Sequence, residues 1–174
     1  MKKIQLLLLD VDGTLTTGEI TYTQSGEEIK SFHIRDGLAL SVWNKQLGRK
    51  SAIITGRDSL IVQKRAQELG IEHIYMGVSD KGAVVREILN KLGLESDEVA
   101  CIGDDLNDLP MFKCIKHTYA PKDGAKEIKA LAKVVLGKKG GKGAVREMIE
   151  DILAKESQGK RNKDNRDELK KYFL

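Results

Sequence analysis

The chain has 174 residues, 40% of them apolar, enough for one hydrophobic core of ordinary size and short for two. Thirty Lys and Arg against 26 Asp and Glu leave a net charge of +4, but the basic residues are dispersed until the last few dozen positions, so no nucleic-acid partner is expected. Cys101 and Cys114 have neither metal-ligand nor disulfide-framework spacing, and the N-terminal apolar stretch meets an Asp too early for a signal peptide or membrane span, so the expectation is a soluble cytoplasmic protein with reduced thiols and no membrane partner.

The first predicted element is a strand at 4–9 (IQLLLL), apolar but for Gln5, as a strand buried on both faces would be. It runs directly into Asp10-Val11-Asp12-Gly13. The segment 15–33 has β-formers on both sides of Gln-Ser-Gly and is predicted as a hairpin inserted after the first strand, too small for a separate cap domain. From there short apolar runs at 51–54, 73–75, 99–102, 117–119 and 133–136 alternate with helical patterns at 37–47, 58–69, 80–92, 106–113, 124–130 and 142–155. Such alternation is the signature of parallel strands joined by crossover helices. In the last helix Ala144, Val145, Met148, Ile149, Ile152 and Leu153 form one apolar stripe that should dock on the sheet. The expected organisation is one α/β domain over 1–156 and a charged, solvated tail over 157–174.

The acidic strand end carries the first functional signal. Asp10 and Asp12, at i and i+2 beyond the strand, can both face the crevice where α/β sheets bind ligands, and Gly13 lets the backbone turn closely. Two carboxylates a few ångströms apart repel by roughly 4 kcal/mol at an effective dielectric near 20, which calls for a cation or a shared proton. Mg²⁺, a hard ion taking carboxylate, phosphate and water oxygens, is the candidate. By itself Asp-x-Asp-Gly also reads as a turn with solvated side chains.

Three further stretches bear on that choice. SAIITGR (51–57) is another strand ending in Thr55, Gly56 and Arg57, a hydroxyl, a flexible backbone donor and a forked cation. Lys81 opens a helical pattern, where it is badly matched to the helix dipole unless an anion lies nearby; alternatively it is an ordinary exposed lysine. VACIGDDLND (99–108) runs a strand into Asp104 and Asp105, with Asp108 one helical turn on, and could supply the missing metal ligand.

Taken in order, DVDGT, ITGR, the lysine and GDDLND resemble the four motifs of the haloacid dehalogenase superfamily, over residues 6 to about 136. The resemblance implies a Rossmann-like three-layer sandwich with a central parallel sheet. It also implies Asp10 as nucleophile, Asp12 as acid/base, Thr55 and Lys81 on the transferring phosphoryl group, and Mg²⁺ held by Asp10, Asp104 and the Asp12 carbonyl. Asp105, Asn107 and Asp108 would support the lysine and the metal from behind. An acid at position 12 argues for phosphoester hydrolysis over dehalogenation. A phospho-Asp receiver gathers similar residues, but there the acyl phosphate must persist, and Asp12 is placed to hydrolyse it.

Two more stretches narrow the substrate by likeness. KSFHIRDGLAL (30–40) and GGKGAVREM (140–148) resemble the 3-deoxy-D-manno-octulosonate 8-phosphate phosphatases, capless tetramers of lipopolysaccharide sugar synthesis whose neighbours close an open crevice. ITGR, without an acid after TG, favours that family over the phosphatases of nonulosonate 9-phosphates. Arg57 is then assigned to the sugar-acid carboxylate or hydroxyls, with Gly56 and Arg35 beside it. RDG could simply start a helix, GGKG could be a loop avoiding steric conflict, and His33 is expected as a surface or packing residue. Lys160, Arg161 and Lys163 of the tail could reach a neighbour's substrate or stay solvated.

Overall fold

The computed structural model describes residues 2–158. Six strands form one parallel sheet: β1 (Leu6–Leu9), β4 (Lys50–Ile54), β5 (His73–Tyr75), β6 (Val99–Ile102), β7 (His117–Ala120) and β8 (Val134–Val135), in spatial order β5-β4-β1-β6-β7-β8. The hairpin strands β2 (Thr21–Tyr22) and β3 (Glu28–Ile29) pair antiparallel in a separate two-stranded sheet, closed through a turn at Gly26. Its place is that expected for the insert at 15–33.

Alternation along β1 makes the sheet the middle of three layers. Leu7 and Leu9 face α1 (Ile34–Ser41), α2 (Leu60–Leu69) and α6 (Ala144–Gln158), among Leu40, Trp43, Val62, Ala66, Met148 and Ile152. Leu6 and Leu8 face α3 (Lys81–Leu92), α4 (Leu109–Phe112) and α5 (Lys126–Leu131), among Val85, Ile88, Met111, Phe112 and Ile128. All four leucines are fully buried, which is why the run carries no polar alternation.

Several helices depart from their predicted bounds. The one expected at 37–47 starts at Ile34 and widens into a π-helical turn over Val42–Gln46. The wider turn accompanies burial of Trp43, whose indole N–H donates to Lys50 O at 2.8 Å. The one expected at 106–113 begins as a 3₁₀ turn over Leu106–Asp108 and becomes α4, with Pro110 in its first turn. The last helix runs to Gln158, two residues into the assigned tail, and Lys160, Arg161 and Lys163 lie outside the described residues. Among the described residues no helix is long and apolar enough to cross a membrane.

The chain leaves β1 for β4 and β5 on one side and returns to β6, β7 and β8 on the other. The strand order therefore reverses at β1 and β6, and the crevice beyond their carboxyl ends is where this kind of sheet places ligands. Leu9 stands opposite both Ile53 and Ile102, so Asp10, Thr55 and Asp104 leave neighbouring strands close to one level.

Candidate active site

Asp10 follows β1 directly and is 3% exposed. Its Oδ1 accepts from the Lys81 ammonium at 2.6 Å, and the same ammonium donates to Asp108 Oδ1 at 2.6 Å. Lys81 opens α3 and is 1% exposed, Asp108 not at all, so the three form a buried carboxylate–ammonium–carboxylate line. A lysine at a helix start is explained by those two anions rather than by solvent. Burial alone lowers the Lys81 pKa; the charges of Asp10 and Asp108 outweigh it and hold the group above its ordinary value.

Asp108 also builds the loop beside it. Its Oδ2 accepts the backbone N–H groups of Asp104, at 2.9 Å, and Asp105, at 3.3 Å, which pins the turn that carries Asp104. One oxygen from each of Asp10, Asp104 and Asp108 lies within 4.8 Å of the others. Burial first, then the charge of Asp108, drives the Asp10 pKa well above the usual carboxylate range, against the pull of Lys81. Asp104 is raised to about 6, again by burial first. Three acids against one ammonium leave the group short of positive charge. Asp10 Oδ2, buried and without a hydrogen-bond partner, is the atom on which that shortage falls. An oxygen-seeking divalent cation fits this donor set, with Asp10 and Asp104 as its side-chain ligands.

The backbone around the acids is close-packed. A side chain at Gly13, where φ is +94°, would put its Cβ 2.1 Å from Asp104 Oδ2. Gly140 and Gly141 lie against the same turn: a Cβ at Gly140 would stand 1.7 Å from Gly13 O, and Gly141 N–H donates to Thr14 O at 2.9 Å. GGKG is thus the segment that closes onto DVDGT.

Thr55, 2% exposed, stands just past β4, its Oγ1 accepting from Arg57 N–H at 3.4 Å. Gly56 is exposed beside it. Asp12 is partly exposed at the rim and its carboxylate accepts from the Lys30 ammonium. Arg57 does not stand free as a substrate fork: its Nη2 donates to Glu28 Oε1 at 2.7 Å, and Tyr22 bonds it too. Burial alone would raise the Glu28 pKa, yet bonds from Lys30 and Arg57 hold it below its ordinary value.

Arg35 is not brought to the acids. It is exposed and lines a separate cavity of about 580 Å³ with Leu38, Lys138, Lys142 and Arg146. The member of the Arg-Asp-Gly triplet that turns inward is Asp36, which caps α6 by accepting from Gly143 N–H at 3.1 Å and Arg146 N–H at 2.7 Å. Asp105 caps the 3₁₀ turn through Leu106 N–H, and Asn107 is exposed beside it. Sequence reasoning overlooked Lys30, Glu28 and Tyr22. The available signal was an acid and a base two residues apart in a predicted hairpin, hence on one face of it.

Comparison with known proteins identifies the family to which the chain belongs. Residues 73–149 match the family described as haloacid dehalogenase-like hydrolase. The 3-deoxy-D-manno-octulosonate 8-phosphate phosphatase KdsC of Haemophilus influenzae is 38% identical over 160 residues, 92% of this chain and 87% of the relative. The crystal structure of the corresponding phosphatase from Moraxella catarrhalis, in complex with magnesium ion, phosphate ion and KDO, is 40% identical with a TM-score of 0.87, covering 98% of this chain and 94% of that one. The cobalt-bound form of the Haemophilus influenzae phosphatase is 38% identical with a TM-score of 0.83, covering 91% of each chain.

Proposed function

As a member of the 3-deoxy-D-manno-octulosonate 8-phosphate phosphatase family of haloacid dehalogenase-like hydrolases, the chain has an activity to which its buried carboxylates can be matched, and we propose that it hydrolyses that sugar-acid phosphate with Mg²⁺ in lipopolysaccharide synthesis. The observation that carries the reading is the Asp10–Lys81–Asp108 line with Asp104 beside it and one Asp10 oxygen unpartnered. Mg²⁺, held by Asp10, Asp104 and the Asp12 carbonyl, would supply positive charge to the phosphoryl oxygens and to the two acids.

Asp10 is the nucleophile. Ionised, it needs no base, and one of its carboxylate oxygens attacks phosphorus while the P–O bond to the sugar breaks. Lys81 and the Thr55 hydroxyl bind the phosphoryl oxygens, and Asp108 keeps Lys81 aimed at them. Asp12 gives its proton to the departing sugar oxygen, then takes one from the water that attacks the aspartyl-phosphate, releasing phosphate and restoring Asp10. Gly56 and Arg57 receive the sugar acid, Arg57 exchanging Glu28 for the substrate carboxylate.

A homotetramer with the site closed by neighbours is part of the proposal. Its support is the hairpin, where Ile20, Tyr22 and Ile29 are 53%, 59% and 47% exposed on a two-stranded sheet that needs further packing to be stable. A cytoplasmic setting accords with two unbridged cysteines. The test is phosphate release from a panel of sugar phosphates with and without Mg²⁺. Preference for the eight-carbon substrate is expected; preference for a nonulosonate 9-phosphate, or Mg²⁺-independent turnover, overturns the reading.

A further inference from the structure

Lys30 follows β3 directly, and its side chain is only 2% exposed. Its ammonium donates to Asp12 Oδ1 and stands 3.2 Å from Glu28 Oε1, the oxygen that also accepts from Arg57. A buried ammonium costs several kcal/mol in lost hydration unless carboxylates face it, so two acids hold Lys30 in place. Glu28 and Lys30 lie two residues apart on one face of the hairpin, and Tyr22 stands opposite Glu28 in the pairing register. Tyr22, Glu28 and Lys30 thus form a strip that locks onto Arg57 and Asp12.

Asp12 depends on that strip. It sits in a tight turn ahead of Gly13, its side chain is 25% exposed, and among the described residues Lys30 is the only hydrogen-bond partner of its carboxylate. A proton carrier left free to rotate at the crevice rim would spend part of its time out of reach of the leaving oxygen.

We propose that Lys30 is a positioning residue for leaving-group departure: delivered by the hairpin and steadied by Glu28, it acts through Asp12 by holding that carboxylate in a single orientation. The inference rests on the phosphatase reading and adds to it a role for the insert within its own subunit.

The test exploits the leaving group. A sugar alkoxide cannot depart without a proton, whereas weakly basic p-nitrophenolate can, so a residue acting only through Asp12 should matter for the first and much less for the second. Phosphoenzyme formation is followed by rapid quench in the Mg²⁺-loaded full chain, with 3-deoxy-D-manno-octulosonate 8-phosphate and with p-nitrophenyl phosphate. Acid–base catalysis contributes about 10²–10⁴-fold, so Lys30→Met should forfeit part of it: about 10- to 100-fold on the sugar phosphate, a much smaller loss on the aryl phosphate, and little change in KM for either. Lys30→Arg should recover much of the loss. Glu28→Gln, which loosens the ammonium without removing it, should lower the saturating rate on the sugar phosphate in the same way but more weakly, its separate release of Arg57 appearing in KM, and serves if Lys30→Met does not fold. Equal losses on both substrates, an effect confined to KM, or Arg performing no better than Met would overturn the proposal. A wild-type protein forming phosphoenzyme from neither substrate would instead defeat the phosphatase reading itself, and this inference with it.

Discussion

Replacing Asp104 by asparagine should make the metal-free protein more stable while weakening its hold on Mg²⁺. Asp104 rises from an ordinary 3.8 to about 6, chiefly because burial penalises its charge. At about 1.4 kcal/mol per pH unit the shift of roughly two corresponds to at most about 3 kcal/mol, and partial contact with solvent reduces this to about 1–2 kcal/mol. Asparagine keeps an acceptor for the long contact from Thr14 Oγ1 and removes the charge. For a domain of this size that is a rise in Tm of about 2–6 °C at pH 7.5 without divalent cation. The sign follows from the raised pKa: the cost is fully present above about pH 6 and fades as the folded protein takes up the proton, so the Asp104→Asn advantage should vanish near pH 4. Mg²⁺ at about 100 times its Kd should stabilise the wild type by about 2.7 kcal/mol and the variant by much less, reversing their order. Thermal unfolding at two pH values, with and without Mg²⁺, reads all of this. A metal-free variant less stable than wild type at pH 7.5, or equal Mg²⁺ stabilisation of both, would refute the reasoning.

Lys81→Met strips the buried acids of their cation and should destabilise the metal-free protein by about 3–5 kcal/mol in urea unfolding at neutral pH, the loss shrinking as the pH is lowered, because burial already raises the Asp10 pKa and so favours its neutral form. Asp10→Asn should abolish Mg²⁺-dependent phosphate release, and any sustained turnover would remove it as the nucleophile. Asp36→Ala leaves two N–H groups at the start of α6 without their acceptor and should cost about 1–2 kcal/mol by chemical denaturation, with substrate KM little changed. If the proposed tetramer packs through the exposed hairpin, Ile29→Lys should shift light-scattering mass towards smaller species; an unchanged mass would count against a hairpin contact.

Most of the framework was legible because it is written in local patterns. Six strands and their helices appear in the predicted order, since a strand buried on both faces needs an unbroken apolar run and each crossover helix needs one apolar stripe. Asp10, Thr55, Lys81 and Asp104 could be singled out because acids, a hydroxyl and a lysine at strand and helix ends conflict with what those positions otherwise favour. The double role of Asp108, on the ammonium and on two backbone N–H groups, was beyond reach, because a turn's hydrogen bonds depend on how it is packed. Arg35 was selected in place of its neighbour for a similar reason. Only the docking of α1 against α6 shows that Asp36 points inward.

Chain order and residue type by themselves determined the alternation of strands and crossover helices and the acids at the end of the first strand, since both follow from side-chain periods of 2 and 3.6 and from where an apolar run stops. Tertiary structure alone decided which opposite charges meet: Lys30 with Asp12, Arg57 with Glu28, Lys81 with Asp10 and Asp108. Those pairings join segments far apart in the chain, and their energy depends on separation and burial, which exist only after the sheet, hairpin and loops have packed.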